Sequence, residues 1–395
     1  MLTLLENGSQ VGQLGVLTSY SSPMFLVSAD GSGGTKIEAG NPAPPAGTTA
    51  DMVMTDGMGD YEIYDLGGNA IQAAYLLGQA PVSLTFVGLG TFQAGDTSDM
   101  LLRNATTGAL EAYYVSGNTI IGSALVGTVG TNFSFAGIGD FDGMSGLSEL
   151  LLRNSASGAF ELYQVAGGGV LSGNAAGAVG NNFSVKGFGQ FSESNTTHMV
   201  MQDTSGDASN GQVELYTYQP GSASFTGIDV GKVGSNLTIV GMADLLGNGS
   251  TQMVMQQNDG NFWLYTYNAG TNTLSGQEVG AIGSNFHVVG FGPLGTSGQD
   301  EMLMQDAAGD FEVYQYNASL NAFSGTSMGA VGAPWVVDGI AADPPGGSSA
   351  AVGASTAQLV QAMASMGGGA AVSTAANPTI DADPSQPTLL STPHA

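Results

Sequence analysis

The sequence predicts an all-β chain folded as a single β-propeller of six four-stranded antiparallel blades, and three observations carry that expectation. A unit of about fifty residues recurs six times. Each copy holds short runs that are β-branched or aromatic at alternate positions, bounded by Gly, Asn, Asp and Ser. The first and last copies are incomplete in complementary ways.

One half of the unit reads Asp99-Met-Leu-Leu-Arg-Asn104, a turn, then Ala109-Leu-Glu-Ala-Tyr-Tyr-Val115, and it recurs from Glu149 with Ala159-Phe-Glu-Leu-Tyr-Gln-Val165. Further copies start at Asp51, His198, Gln252 and Glu301. The other half is Asn132-Phe-Ser-Phe-Ala-Gly-Ile-Gly139, repeated from Asn182, Asn236 and Asn285, with weaker copies at Ser83 and Ala333. Turns such as Thr107-Gly108, Ser157-Gly158, Asp259-Gly260 and Gly309-Asp310 suit tight hairpins with a positive φ. Gly is too frequent here for stable helices. Each unit is therefore four strands: an inner Phe-x-Val-x-Gly strand, a Met-Leu-Leu-Arg-like second, a Tyr-bearing third and a variable outer one.

No clear inner strand precedes Asp51, while the last inner strand, Trp335-Val-Val337, lacks its three followers. Pairing these ends closes the ring and removes an open sheet edge. A seventh blade built from residues 1–50, or an open solenoid, are the rival arrangements.

The domains expected are an N-terminal extension and linker over 1–50, the propeller over 51–341, and a low-complexity tail over 342–395. The extension holds one strand-like run, Pro23-Met-Phe-Leu-Val27, then a Gly/Pro/Ala-rich stretch from Ala39 to Ala50. The tail carries one amphipathic helical stretch, Ser355 to Met366, with Leu359, Met363 and Met366 on one face.

Composition narrows the function classes. The 395 residues include 5 Lys+Arg against 32 Asp+Glu, a formal net charge of −27. Such a surface repels phosphate backbones and anionic head groups, so neither nucleic acid nor a membrane is an expected partner. No stretch approaches the roughly eighteen apolar residues of a membrane span. The absence of Cys removes disulfides, thiol catalysis and Cys-ligated zinc. Hydrophobic residues still make up 42%, enough for a packed core despite 63 Gly.

The junction Gly139-Asp140-Phe-Asp142-Gly143-Met-Ser-Gly-Leu-Ser-Glu149-Leu-Leu-Leu-Arg-Asn154 resembles the FG-GAP/VCBS-like repeat family of secreted bacterial type. The resemblance covers about residues 51–341. It implies a propeller, an extracellular location, and adhesion or ligand binding without catalysis. Complete loops of that family bind calcium, because alternating carboxylates present several hard oxygens to one cation. Here only Asp140 and Asp142, with Glu149 at the closing position, keep much of the pattern, and Met144 stands where a further ligand belongs. These three residues are the expected Ca2+ ligands, of weak affinity. At the other junctions the acids read as turn residues.

The aromatic residues are the second candidate. Tyr216/Tyr218, Tyr265/Tyr267 and Tyr314/Tyr316 are i, i+2 pairs, each on one face of its strand, and Trp263 joins the second pair. Such rows stack on sugar rings or fill the gap between blades. Glu111, Glu161, Glu214 and Glu312 recur at one strand position, which marks a structural role, since a general acid/base pair is singular. Arg103 and Arg153 occupy equivalent places, each expected to pair with a blade carboxylate. The three His share no spacing for a metal or a triad.

The functional expectation is a secreted, non-enzymatic binding or adhesion module, monomeric, with an extracellular glycan or protein as ligand. A structural spacer of an extracellular assembly, or an enzyme with no recognisable site, are the alternatives. Met1–Gly8 lacks the basic start and long apolar run of a cleavable leader. Export is therefore expected through an uncleaved C-terminal signal of the type I kind, which suits a chain with no disulfide to form.

Overall fold

A computed structural model describes residues 2–6, 9–14, 24–29, 35–93, 98–142, 147–166, 170–192 and 197–343, with side chains from Gly40 onward except at 166 and 170–172. The tail helix and the C-terminal signal of the sequence reading lie outside the described residues. Among the described residues every regular element is a strand.

Six four-stranded antiparallel sheets follow one another as blades. Blade 1 takes its inner strand from the far end of the chain, Val336–Ala342, followed by Ala50–Thr55, Asp60–Gly67 and Ala70–Gln79. Blades 2 to 6 begin at the inner strands Leu84–Gly90, Phe133–Gly139, Phe183–Gly189, Leu237–Ala243 and Phe286–Gly292, each running outward through three consecutive strands. Six blades, not seven, close the ring. Two hairpins precede it, Leu2–Glu6 with Ser9–Leu14 and Met24–Ala29 with Thr35–Gly40. The stretch read as a linker is pinned down: Asn41 donates to Leu76 O (3.0 Å) and Asn118 O (2.6 Å) on the outer parts of blades 1 and 2.

The strands form where the alternation placed them. In each second strand the first four residues are buried, because both faces of a blade are covered by neighbours. The hairpin after it turns on Asn104 or Asn154, whose Oδ1 accepts from the N–H groups two and three residues on. Gly108 and Gly158 complete those turns at φ 75° and 71°.

Every inner strand carries a β-bulge immediately before a glycine, as between Phe135 and Gly137 or Ile239 and Gly241. The residue after that glycine is Leu89, Ile138, Phe188, Met242, Phe291 or Ile340, all buried. Each presses on an inner-strand glycine of the preceding blade: Leu89 on Gly339, Ile138 on Gly90, Phe188 on Gly137, Met242 on Gly187, Phe291 on Gly241 and Ile340 on Gly292. The contacts form a closed cycle of six. A methyl group on Gly187 would stand 2.8 Å from Met242 Cγ, and one on Gly241 would run into the Phe291 ring.

A polar clasp accompanies three of the six apolar seats. Ser148 Oγ accepts from Thr91 N (2.9 Å) while its own N–H donates to Thr91 O (2.8 Å). Thr251 does the same with Gln190, and Asp300 with Asp244. Consecutive blades are thus joined by backbone as well as by side chains.

The glycine seats give a direct prediction. Gly241→Ala should destabilise the ring by about 1–3 kcal/mol through overpacking, and Phe291→Ala by about 3–5 kcal/mol. Both should shift a single denaturant transition, since the seat joins two blades. An unchanged midpoint for Gly241→Ala would contradict the packing scheme.

Candidate functional site

The first residue of each second strand sits at the corner where the chain leaves the inner strand. In most blades it anchors that corner. Asp99 Oδ2 accepts from Phe92 N and Gln93 N (both 2.9 Å), while Oδ1 accepts from Val115 N (2.8 Å). Glu301 Oε2 accepts from Leu294 N (2.9 Å) and Gly295 N (3.0 Å). Gln252 holds Leu246 N in the same way (3.2 Å).

Blade 3 adds charge to this anchor. Glu149 Oε2 accepts from Phe141 N (2.9 Å) and Asp142 N (3.1 Å), which draws the loop back over the strand end. Gln164, opposite Glu149 on the third strand, donates to Asp142 Oδ2 (2.8 Å) and Glu149 Oε1 (3.2 Å). Ligand atoms of Asp140, Asp142 and Glu149 all lie within 4.8 Å of one another. The structure therefore brings together the three residues singled out from the sequence. Met144 lies outside the described residues. Two full charges at this spacing repel by roughly 3 kcal/mol at an effective dielectric near 20. Gln164 offsets part of this repulsion through its two hydrogen bonds to the carboxylates. Accordingly, burial and then the Asp142 charge push the Glu149 carboxyl up to about 7. Gln164 was missed by sequence reasoning. It stands opposite the closing acid in the register, a signal that the repeat alignment contains.

The aromatic rows occupy blades 4, 5 and 6. Trp263, Tyr265, Tyr267, Tyr314 and Tyr316 join one apolar cluster, while Tyr216 and Tyr218 join another. Tyr218 and Tyr316 are buried and the rest half-buried. Five of the seven polar tips are engaged. Tyr216 and Tyr314 donate to Glu214 and Glu312 two residues earlier (both 2.5 Å), and Trp263 Nε1 donates to Gln257 Oε1 (3.1 Å). Tyr267 donates to Asn272 Oδ1 (2.9 Å) and Tyr316 to Asn321 Oδ1 (3.0 Å). The recurring Glu is thus a hydroxyl acceptor, found again as Glu62 under Tyr64 and Glu111 under Tyr113. The rings of Tyr216, Tyr265 and Tyr314 lie over the cross-strand glycines Gly227, Gly276 and Gly325.

The arginines depart from expectation. Arg103 donates to Phe133 O (2.8 Å) and Gly130 O (3.0 Å), and Arg153 to Phe183 O (2.6 Å) and Gly180 O (2.9 Å). They tie each blade to backbone carbonyls of the next rather than to a carboxylate, because each guanidinium reaches across the seam to the turn that opens the next inner strand. Beside Arg103 a cleft of about 340 Å³ opens between blades 2 and 3, lined among others by Phe86, Phe133, Phe135, Thr131 and Ser134. Arg103 Nε is buried there without an acceptor.

No family model matches the chain, and no curated protein is similar to it. Solved structures do resemble it in fold. A "putative 6-phosphogluconolactonase" from Bacteroides fragilis is 12% identical with a TM-score of 0.39, over 80% of this chain and 94% of that one. A second, from Bacteroides uniformis, is 10% identical with a TM-score of 0.40, over 78% and 92%. Both names are an enzyme's, contrary to the non-enzymatic adhesion module expected from the sequence. At this identity and overlap, no activity, substrate or residue transfers to the present chain.

Several buried carboxyls share the behaviour of Glu149. Burial pushes Asp99 up to about 6, and Asp300 and Asp338 up to about 7. Each folded value lies above the unfolded one, so folding takes up protons. The stability these groups contribute is fully present below about pH 4 and is lost as pH rises through their folded values, between about 6 and 7. In EDTA the thermal midpoint should therefore be higher at about pH 5.5 than at about pH 8. Glu149→Gln should raise it at the higher pH and leave it nearly unchanged at the lower. A profile flat across this range would contradict the assignment.

Proposed function

We propose that the chain is a calcium-binding β-propeller whose cation site is the blade 3 corner formed by Asp140, Asp142 and Glu149. One observation carries this reading: the three carboxylates converge within 4.8 Å at a corner whose backbone is already fixed by Glu149. The donor set is all oxygen, which suits a hard cation of variable coordination such as Ca2+ better than zinc or copper. The resemblance of the Asp140 loop to calcium-binding repeats supports the same choice. Binding would neutralise the mutual repulsion of the acids and displace the proton that Glu149 otherwise retains near neutrality.

The cleft beside Arg103 favours a second reading, a small anionic ligand with an apolar body. In a chain of net charge −27, a guanidinium facing a cleft lined by three Phe rings is a local reversal of charge. Arg103→Gln should abolish binding of such a ligand while leaving calcium uptake intact.

Calorimetric titration tests the metal site. Calcium should bind more tightly at about pH 8 than at about pH 5.5, because protons compete for the carboxylates. Asp140→Ala with Asp142→Ala should weaken binding at that corner at least about tenfold, roughly 1.4 kcal/mol. Unchanged affinity in this double variant would remove the corner from consideration.

A further inference from the structure

A second acidic cluster lies at the seam of the ring, independent of the blade 3 corner. Asp51 is the corner residue of blade 1, paired in register with Ala341 on the closing strand and with Asp65 on the third strand. Asp343, the residue after that strand, donates its N–H to Thr49 O (2.9 Å). Ligand atoms of Asp51, Asp65 and Asp343 lie within 4.8 Å of one another.

Comparison with the other blades shows what is unusual. Four residues after the inner-strand glycine, blades 2 to 6 have Phe92, Phe141, Phe191, Leu245 and Leu294, all buried apolar plugs. Blade 1 has Asp343 instead. Opposite the corner acid, blade 3 places Gln164, an amide that donates to Glu149. Blade 1 places Asp65, an acceptor facing an acceptor. Thus an apolar plug and a donor are both replaced by carboxylates at one site, and it is the site where the ring is sealed.

Polar atoms around the cluster are left without partners. Asp65 is 0% exposed, and its Oδ1 has no donor. Asn118, 1% exposed, rests its carboxamide on Asp65, with Nδ2 at 2.9 Å from Oδ2, and its own Oδ1 also has no donor. Neutral donors do reach the cluster, Ser98 Oγ at 2.5 Å from Asp51 Oδ2 and this Asn118 amide. Buried oxygens with no proton to accept are the arrangement expected around a cation. Carboxylate oxygens without sulfur or imidazole select a hard divalent ion.

We propose that Asp51, Asp65 and Asp343 hold a hard divalent cation of the calcium class, which fastens the C-terminal inner strand to blade 1. The ion would tie the second and third strands of blade 1, themselves a hairpin, to the end of the closing strand, which the chain connects to them only through the whole ring. A site assembled from both ends exists only in the closed ring, so the ion favours closure over any open form.

The test uses the full chain with CaCl2 or EDTA as the only variable. In a background of Asp140→Ala plus Asp142→Ala, the thermal midpoint should still rise by several degrees with calcium, and calorimetry should still find one equivalent bound. Adding Asp65→Gln and Asp343→Leu, the residue types other blades use, should abolish both. Should that pair of changes prevent folding, Asp65→Asn alone, nearly isosteric, should weaken calcium binding at least about tenfold. If the seam variants keep the calcium-dependent shift and the bound equivalent, the proposal is wrong. It is equally wrong if calcium never moves the background variant, a result that leaves the blade 3 corner untouched.

Discussion

The contact on which the whole ring depends is a large apolar side chain of one blade seated on a glycine of the blade before it. Neither partner works alone. In four blades the glycine after the bulge is itself the seat, in blades 2 and 6 the glycine two residues further on is, and the residue after each bulge glycine is delivered to the preceding blade's seat. The six contacts from Leu89 on Gly339 round to Ile340 on Gly292 form a cycle, so no blade can bury both faces until its neighbours are present. This is why the closing strand must come from the far end of the chain. Without Val336–Ala342, blade 1 would lack its seat for Leu89 and blade 6 its knob from Ile340.

With packing settled at the inner strands, the corners after them are free to differ. The same position is Asp99, Glu149, Gln252 or Glu301, and in each case it binds the N–H groups of the loop above. That is a structural duty that a single acceptor fulfils. Where further carboxylates gather, as at Asp140 and Asp142 or at Asp65 and Asp343, the corner holds more negative charge than loop anchoring requires. The surplus is what separates the two candidate cation sites from corners that only hold the chain in place. The aromatic rows follow the opposite course. Four of the six Tyr hydroxyls are engaged with Glu or Asn of the same blade and three rings cover cross-strand glycines, so these side chains serve packing within the blade.

The repeat made the fold legible. Blade number, strand order and closure by Trp335–Val337 all follow from the phase of six copies, and the structure agrees with each. The Asp140, Asp142 and Glu149 group was legible for the same reason, as a motif within one copy. What escaped were relations between copies. Gln164 and Asp65 matter because of what faces them across a strand pair, and Asp343 because of the Phe or Leu it replaces. The partners of Arg103 and Arg153 escaped too, because carbonyl oxygens of the next blade leave no mark on sequence. Function was the least legible. An absence of catalytic spacing was read as an absence of catalysis, a step that spacing alone does not license, because side chains far apart in sequence can meet in the fold.

The central claim is that the seam between the two ends of the chain is as firm as any internal blade contact. Native-state hydrogen exchange of the amides along Ala50–Thr55 measures this directly, against the equivalent strand of blade 4, His198–Asp203. The most protected amides of both strands should open with the same free energy, equal to that of global unfolding. Exchange at Ala50–Thr55 through a lower-energy opening, while His198–Asp203 stays protected to the global limit, would show a ring that opens at its seam and would contradict the account.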